Sequence, residues 1–283
     1  MKTNYAVKSI SLTIPTFVTR LLCLFGLATV LSQSFATPRS PLPPLPHVTT
    51  TLFHTRFDEA YWRERQRASL VMMDSWTLVE SFSGYALQRV GKSVTPFVIP
   101  ALNASNQLAV AADKGALAFW FKPSWSSMSG SSGNAKLAEL VAVGRDDAVS
   151  SWALQINPEQ TAMILTGLNG SEILLKSEIS LMPDVWYWVV LNYGETTELW
   201  IDGVLQAEGK GTQALPPKLS ALVVGSNLIG TETAGGEFED VSLFSHALKE
   251  RQMVLYHRAM KARSLLGAIS VEEEVALAEQ RSV

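Results

Sequence analysis

Glu237 and Glu239 stand two apart in Glu237-Phe238-Glu239-Asp240-Val241, so on a strand both carboxylates would face the same way. Such a pair is the requirement for glycoside hydrolysis, with one carboxyl as acid and the other as nucleophile about 5 Å away. The sequence holds no Gly-x-Ser-x-Gly elbow and no His-Glu-x-x-His helix. The four histidines, His47, His54, His246 and His257, are scattered and read better as surface or packing residues than as bases or ligands. The sole cysteine, Cys23, lies in an N-terminal apolar run expected to be removed, which would leave no thiol for nucleophilic chemistry. Two tryptophans stand apart from the rest. Trp125 sits beside a Ser/Gly loop at a strand end, and Trp152 follows Asp146-Asp147. Either ring could serve as a flat platform for a sugar or an aromatic side chain, or lie partly buried at the rim of the fold.

The elements that must position these residues belong to a chain of 283 residues with 23 Lys+Arg, 26 Asp+Glu and a formal net charge of -3. An acidic balance without a basic face argues against a nucleic-acid partner. The 47% hydrophobic content excludes a disordered chain. Lys2, Lys8 and Arg20 precede the apolar run Leu21 to Leu31, which is too short to cross a bilayer at roughly 20 residues per span. A basic head, a short greasy middle and the small residues Ser34 and Ala36 together describe an export signal over residues 1–36. Its removal would leave no cysteine and no membrane span. The expected address is therefore secreted or cell envelope, the periplasm or cell surface. Residues 37–50, rich in proline, read as an extended spacer.

From residue 51 onward, short β-prone runs alternate with turn residues. Ala116 to Phe121 is apolar throughout, as a strand buried on both faces would be. Asn169-Gly170 and Asp202-Gly203 are hairpin signals. About a dozen short strands at this spacing predict an all-β sandwich or barrel. Trp186, Trp188 and Trp200 are expected to fill the space between two sheets. Helix is expected chiefly after Ser245, which would cap a stripe of Leu248, Leu255, Ala259 and Ala262. A helical tail is expected over residues 263–283, where Ser270 and Glu273 form a capping box.

Four segments in order resemble laminin-G-like domains of the concanavalin A-like jelly-roll superfamily. They are Gly115 to Pro123, the tryptophan-led Trp186 to Tyr193, the hairpin Glu198 to Leu205, and Gly236 to Leu248. The resemblance covers roughly residues 51 to 258, with the domain itself placed at 51–262. It implies an all-β, two-sheet antiparallel jelly-roll sandwich with a short C-terminal helical tail. Together with the export signal and a missing glycanase carboxylate pair, it leads to the expectation of an exported non-catalytic binding or adhesion module, recognising a carbohydrate or a cell-surface protein through rim loops. Trp125 and Trp152 are then the candidate ligand contacts. Calcium is the cofactor that the resemblance suggests, with Asp146 and Asp147 as hard oxygen ligands in a loop. Glycanases of this superfamily resemble one another in a Glu-x-Asp-x-x-Glu or Glu-x-Asp-x-Glu strand. Here Glu239 replaces the middle Asp, and Ser242 and Leu243 fill the place of the second Glu. Two alternatives stay open: a divergent glycoside hydrolase or lyase on the same scaffold, and a structural module whose tail docks a partner.

Overall fold

A computed structural model describes residues 51–55, 57, 75–82, 84–90, 95–100, 110–111, 113–125, 137–144, 150–212 and 221–262, without the side chains of Pro100 and Ala221. The chain divides into Met1–Leu42, none of which is described, and Pro43–Val283, which holds every element below. The expected export signal, spacer and tail lie outside the described residues.

The strands are β1 (Thr51–Thr55), β2 (Trp76–Ser81), β3 (Gly84–Arg89), β4 (Phe97–Pro100), β5 (Gly115–Pro123), β6 (Ala138–Gly144) and β7 (Ser150–Ile156). They continue with β8 (Ala162–Thr166), β9 (Ile173–Glu178), β10 (Tyr187–Tyr193), β11 (Thr196–Ile201), β12 (Val204–Lys210), β13 (Ala221–Val224) and β14 (Gly236–Phe244). One helix, α1, spans residues 250–262. Eight strands make one antiparallel sheet in the order β12-β11-β10-β5-β14-β3-β2, with β1 also on β14, and six make the other, β4-β13-β6-β7-β8-β9. This is the all-β, two-sheet antiparallel sandwich that the resemblance implies.

Strand parity builds the layers. On β5 the residues Leu117, Phe119 and Phe121 enter the core between the sheets, while Ala116, Ala118 and Trp120 face the opposite way into a second cluster. That second cluster holds Trp188, Val190, Trp200 and Phe244 from the sheet, and Met253, Tyr256 and Met260 from α1. The apolar run of β5 is thus buried twice, under the second sheet and beneath the helix.

This arrangement corrects one expectation. Trp188 and Trp200 do not fill the space between the sheets; they lie on the outer face of the eight-stranded sheet, with Trp186 packed against the same cluster. The helix differs too. It starts at residue 250, and its first turn is capped by Gln252, whose Oε1 accepts the Lys249 N–H at 2.9 Å. Ser245 lies upstream, with its Oγ against His246 Nδ1. The buried stripe is Met253, Tyr256 and Met260, whereas Leu255 is 53% exposed. Strand β10 holds the segment that leads into the helix: Asn192 accepts the Leu248 N–H at 2.9 Å and donates to the Leu248 carbonyl at 3.0 Å.

Both predicted hairpin turns form. Asp202 (φ 53) and Gly203 (φ 78) join β11 to β12 with two positive-φ residues, as a type I′ turn requires. Asp202 also holds the neighbouring strand, donating its N–H to the Trp188 carbonyl and accepting the Trp188 N–H on Oδ1 at 2.8 Å. Asn169 (φ 49) and Gly170 (φ 70) turn β8 into β9.

Candidate functional site

The outer face of the six-stranded sheet carries no α-helix among the described residues, only the short 3-10 turn Leu168–Gly170 beside it. Its floor near β6 to β8 alternates with the core: Leu154 and Ile156 point in, so Ala153 and Gln155 point out. Gln155 pairs with Glu139 across β6–β7, and Thr166 with Ala153 across β7–β8. Above this floor lies a groove of about 350 Å³. Glu139, Gln155 and Thr166 form its base, Asn169-Gly170 one wall, and Asn227 to Glu232 the other.

Local chemistry shapes both walls. The Asn169-Gly170 wall is the positive-φ turn described above. In the other wall, the Thr231 N–H donates to Asn227 Oδ1 at 2.8 Å and the Asn227 side-chain amide donates to Thr231 Oγ1 at 2.8 Å. Gly230, at φ 79, completes the loop with an N–H bond to the Asn227 carbonyl. The β7–β8 turn repeats the device with Asn157, Gln160 at φ 61 and Thr161. An asparagine whose side chain mimics a backbone turn holds each loop rigid. Ile229, at the top of the wall, is 55% exposed.

Glu139 is the unusual group at the base. It is 4% exposed, and Gln155 donates to its Oε1 at 2.9 Å. Its Oε2 is buried and has no donor. The carboxyl that faces it belongs to Glu232, and the two segments are pinned by the Glu139 N–H bonded to the Glu232 carbonyl at 3.1 Å. Burial first, and then the charge of Glu232, push Glu139 up to about 7, against the partial relief of the Gln155 bond. Near neutral pH Glu139 therefore exchanges between its protonated and ionised forms.

The residues singled out in the sequence lie elsewhere. Trp152 is 1% exposed, inside the sandwich core against Tyr193 at 5.4 Å between ring centroids. It falls within β7, at a position whose parity points inward, so its ring presents no platform to a sugar. Trp125 is half-buried at the end of β5, against Phe121 at 6.4 Å, and is not part of the groove lining. Asp146 and Asp147 lie outside the described residues. Among the described residues, no cluster of three or more His, Cys, Asp or Glu is arranged to hold a metal.

Glu237 and Glu239 do share one face of β14, on the outer side of the eight-stranded sheet, and both are engaged. Lys122 lies 2.7 Å from Glu237 Oε2, and Gln88 donates to Oε1 at 3.3 Å. Glu239 is fully buried and accepts a bond from the Ser81 hydroxyl. Asp240 is buried between His54 and the Tyr256 hydroxyl.

Sequence reading missed Glu139, Gln155, Thr166 and Glu232. A signal was present for the first three: each is a polar residue in a strand whose other outward positions are small or apolar. Nothing local marks Glu232.

The profile of the Concanavalin A-like lectin/glucanases superfamily matches residues 100–253. No curated protein matches. Among solved structures, a Trypanosoma rangeli sialidase in complex with the inhibitor DANA has 13% identity and a TM-score of 0.50, over 85% of this chain and 38% of that one. Domain 4 of AbnA, a GH43 extracellular arabinanase from Geobacillus stearothermophilus in complex with arabinotriose, has 12% identity and a TM-score of 0.48, over 65% of this chain and 81% of that one. A Ruminococcus gnavus IT-sialidase CBM40 bound to alpha2,6 sialyllactose has 15% identity and a TM-score of 0.40, covering 52% and 84%. At these identities the likeness is one of fold.

Proposed function

The chain belongs to the concanavalin A-like lectin/glucanases superfamily, and from that premise we propose that it is an exported, non-catalytic binding module that holds a carbohydrate in the groove over its six-stranded sheet. One observation supports this above the others: that face combines a concave space of about 350 Å³ with a polar base and two stiff walls. The outer face of the opposite sheet is occupied by α1. A sugar offers hydroxyls to Glu139, Gln155 and Thr166 and an apolar edge to Leu228 and Ile229.

Hydrolysis is the second reading, and Glu139 motivates it. A carboxyl near pH 7 beside a second carboxylate is the pattern of an acid–base pair. Retaining glycosidases hold the two carboxyls about 5 Å apart and inverting enzymes farther, to leave room for the glycosidic bond or a water. Neither Glu139-Leu140-Val141 nor Glu232-Thr233-Ala234 carries a second acid at the spacing of the glycanase strand, and that favours binding.

The test is a glycan array probed with the full chain, with calcium and with chelator, beside Ile229→Arg and Asp146→Asn. Ile229 is exposed, so its replacement should leave thermal stability unchanged and weaken binding by about tenfold or more. Silence across the array, or binding that Ile229→Arg leaves intact, would refute the groove as the site. Reducing sugar released by the wild type and not by Glu139→Gln would establish the hydrolase. A loss of binding on chelation that Asp146→Asn reproduces would assign calcium to that loop.

A further inference from the structure

The groove has a charge preference built into it. Among its described lining residues two are acidic, Glu139 and Glu232, and none is basic. Glu139 is more than nine-tenths buried, and its Oε2 lies without a donor. Glu232, the charged group that faces it, cannot swing its segment away, because its carbonyl accepts the Glu139 N–H and Thr233 bridges the same strand. Like charges held this close resist ionising together. The pair is relieved in one of two ways: it keeps a proton of its own, or a ligand brings a positive group that lets both carboxyls ionise.

Resting on the binding reading above, we propose that the groove selects amino sugars, with a primary ammonium group seated between Glu139 and Glu232, over N-acylated and acidic sugars. The ammonium supplies the donor that Glu139 Oε2 lacks and the charge that the pair lacks. Its three N–H groups serve two carboxylates at once. An N-acetyl group brings a donor without the charge, and a sialic-type carboxylate adds a third negative group to a site with two. A divalent cation fits less well. Calcium takes six to eight oxygens, and the Gln155 amide nitrogen is already turned toward Glu139. Proton balance follows directly. Glu139 gives its proton to solvent as the ammonium, which keeps its own, takes its place.

The test titrates the full chain calorimetrically at pH 6.5 with a β-1,4-linked glucosamine tetramer, its fully N-acetylated counterpart and alpha2,3 sialyllactose, in two buffers of different ionisation heat. The glucosamine tetramer should bind about tenfold or more tightly than the N-acetylated one. It should release up to one proton per site, and sialyllactose should bind weakest. Glu232→Gln should abolish the preference and reduce the proton release, which burial of Glu139 alone still supports, while N-acetylated binding persists, with melting curves confirming that the variant is folded. Equal or tighter binding of the N-acetylated tetramer, sensitive to Ile229→Arg, would overturn the amino-sugar preference and leave the binding reading standing. So would a preference for sialyllactose. A glucosamine preference that survives both Glu139→Gln and Glu232→Gln would place the ammonium elsewhere and overturn the proposal. No binding of any of the three, with a silent array, would remove both.

Discussion

Glu139 shows how one side chain links stability to pH. Its native value, about 7, lies above the ordinary 4.5, so between these limits the folded state binds more protons than the unfolded one. Stability from this residue is therefore intact below about pH 4.5 and falls as pH rises, with the loss complete above about pH 7. The size of that loss is about 3 kcal/mol. Glu139→Gln, which keeps the Gln155 contact, should raise the melting temperature at pH 8 and change it little at pH 4.5. A variant whose melting profile parallels the wild type from pH 4.5 to 8 would contradict the assignment. None of this was legible in the sequence. A glutamate in a strand says nothing about the carboxyl that a distant loop will lay against it. The aromatic residues were partly legible: tryptophans were expected to be buried, but which layer receives them depends on strand parity. Parity is set by where each strand begins, and Trp152 lies inside β7, not on the loop before it.

Elements were read more easily than contacts. Runs of alternating and continuous apolar residues gave nearly every strand, and the two positive-φ dipeptides gave their turns, because those preferences act over two to six residues. The helix face was read wrongly. Leu255 fits a helical stripe in the sequence as well as Met253 does, and ties to the sheet, the Asn192–Leu248 clasp and the Tyr256 bond to Asp240, set the rotation that buries Met253 and Met260. Met253→Ala and Met260→Ala should each cost about 2–4 kcal/mol in denaturant unfolding. Leu255→Ala should stay within about 0.5 kcal/mol. Comparable losses at all three positions would refute the orientation. Gly225, at φ 75, leads into the Asn227 wall of the groove, and a Cβ there would meet the Trp76 ring at 2.7 Å. Gly225→Ala should therefore cost about 2 kcal/mol or more, and it should weaken sugar binding as the wall shifts. Unchanged melting and unchanged affinity would show that the wall tolerates the displacement.

The molecule as a whole has three layers, the two sheets and α1, and its central strand β5 contributes to both interfaces. A chain ending after residue 248 should keep a strand-dominated far-ultraviolet spectrum and bind a hydrophobic dye. The loss of α1 uncovers Trp120, Trp188 and Trp200 on the outer face of the eight-stranded sheet. A truncated chain that binds no more dye than the full one would mean that α1 covers nothing of consequence. The sequence by itself determined the all-β class through hydrophobic period and turn chemistry, and the order of its motifs carried the resemblance that implied two sheets and the superfamily, because these are local or serial properties that survive without coordinates. Only the tertiary structure decided which face is covered by the helix and which is left concave, and only it set Glu139 against Glu232. Those two residues belong to segments far apart in the chain. Their meeting, pinned by the Glu139 N–H on the Glu232 carbonyl, exists only once the sheet has folded.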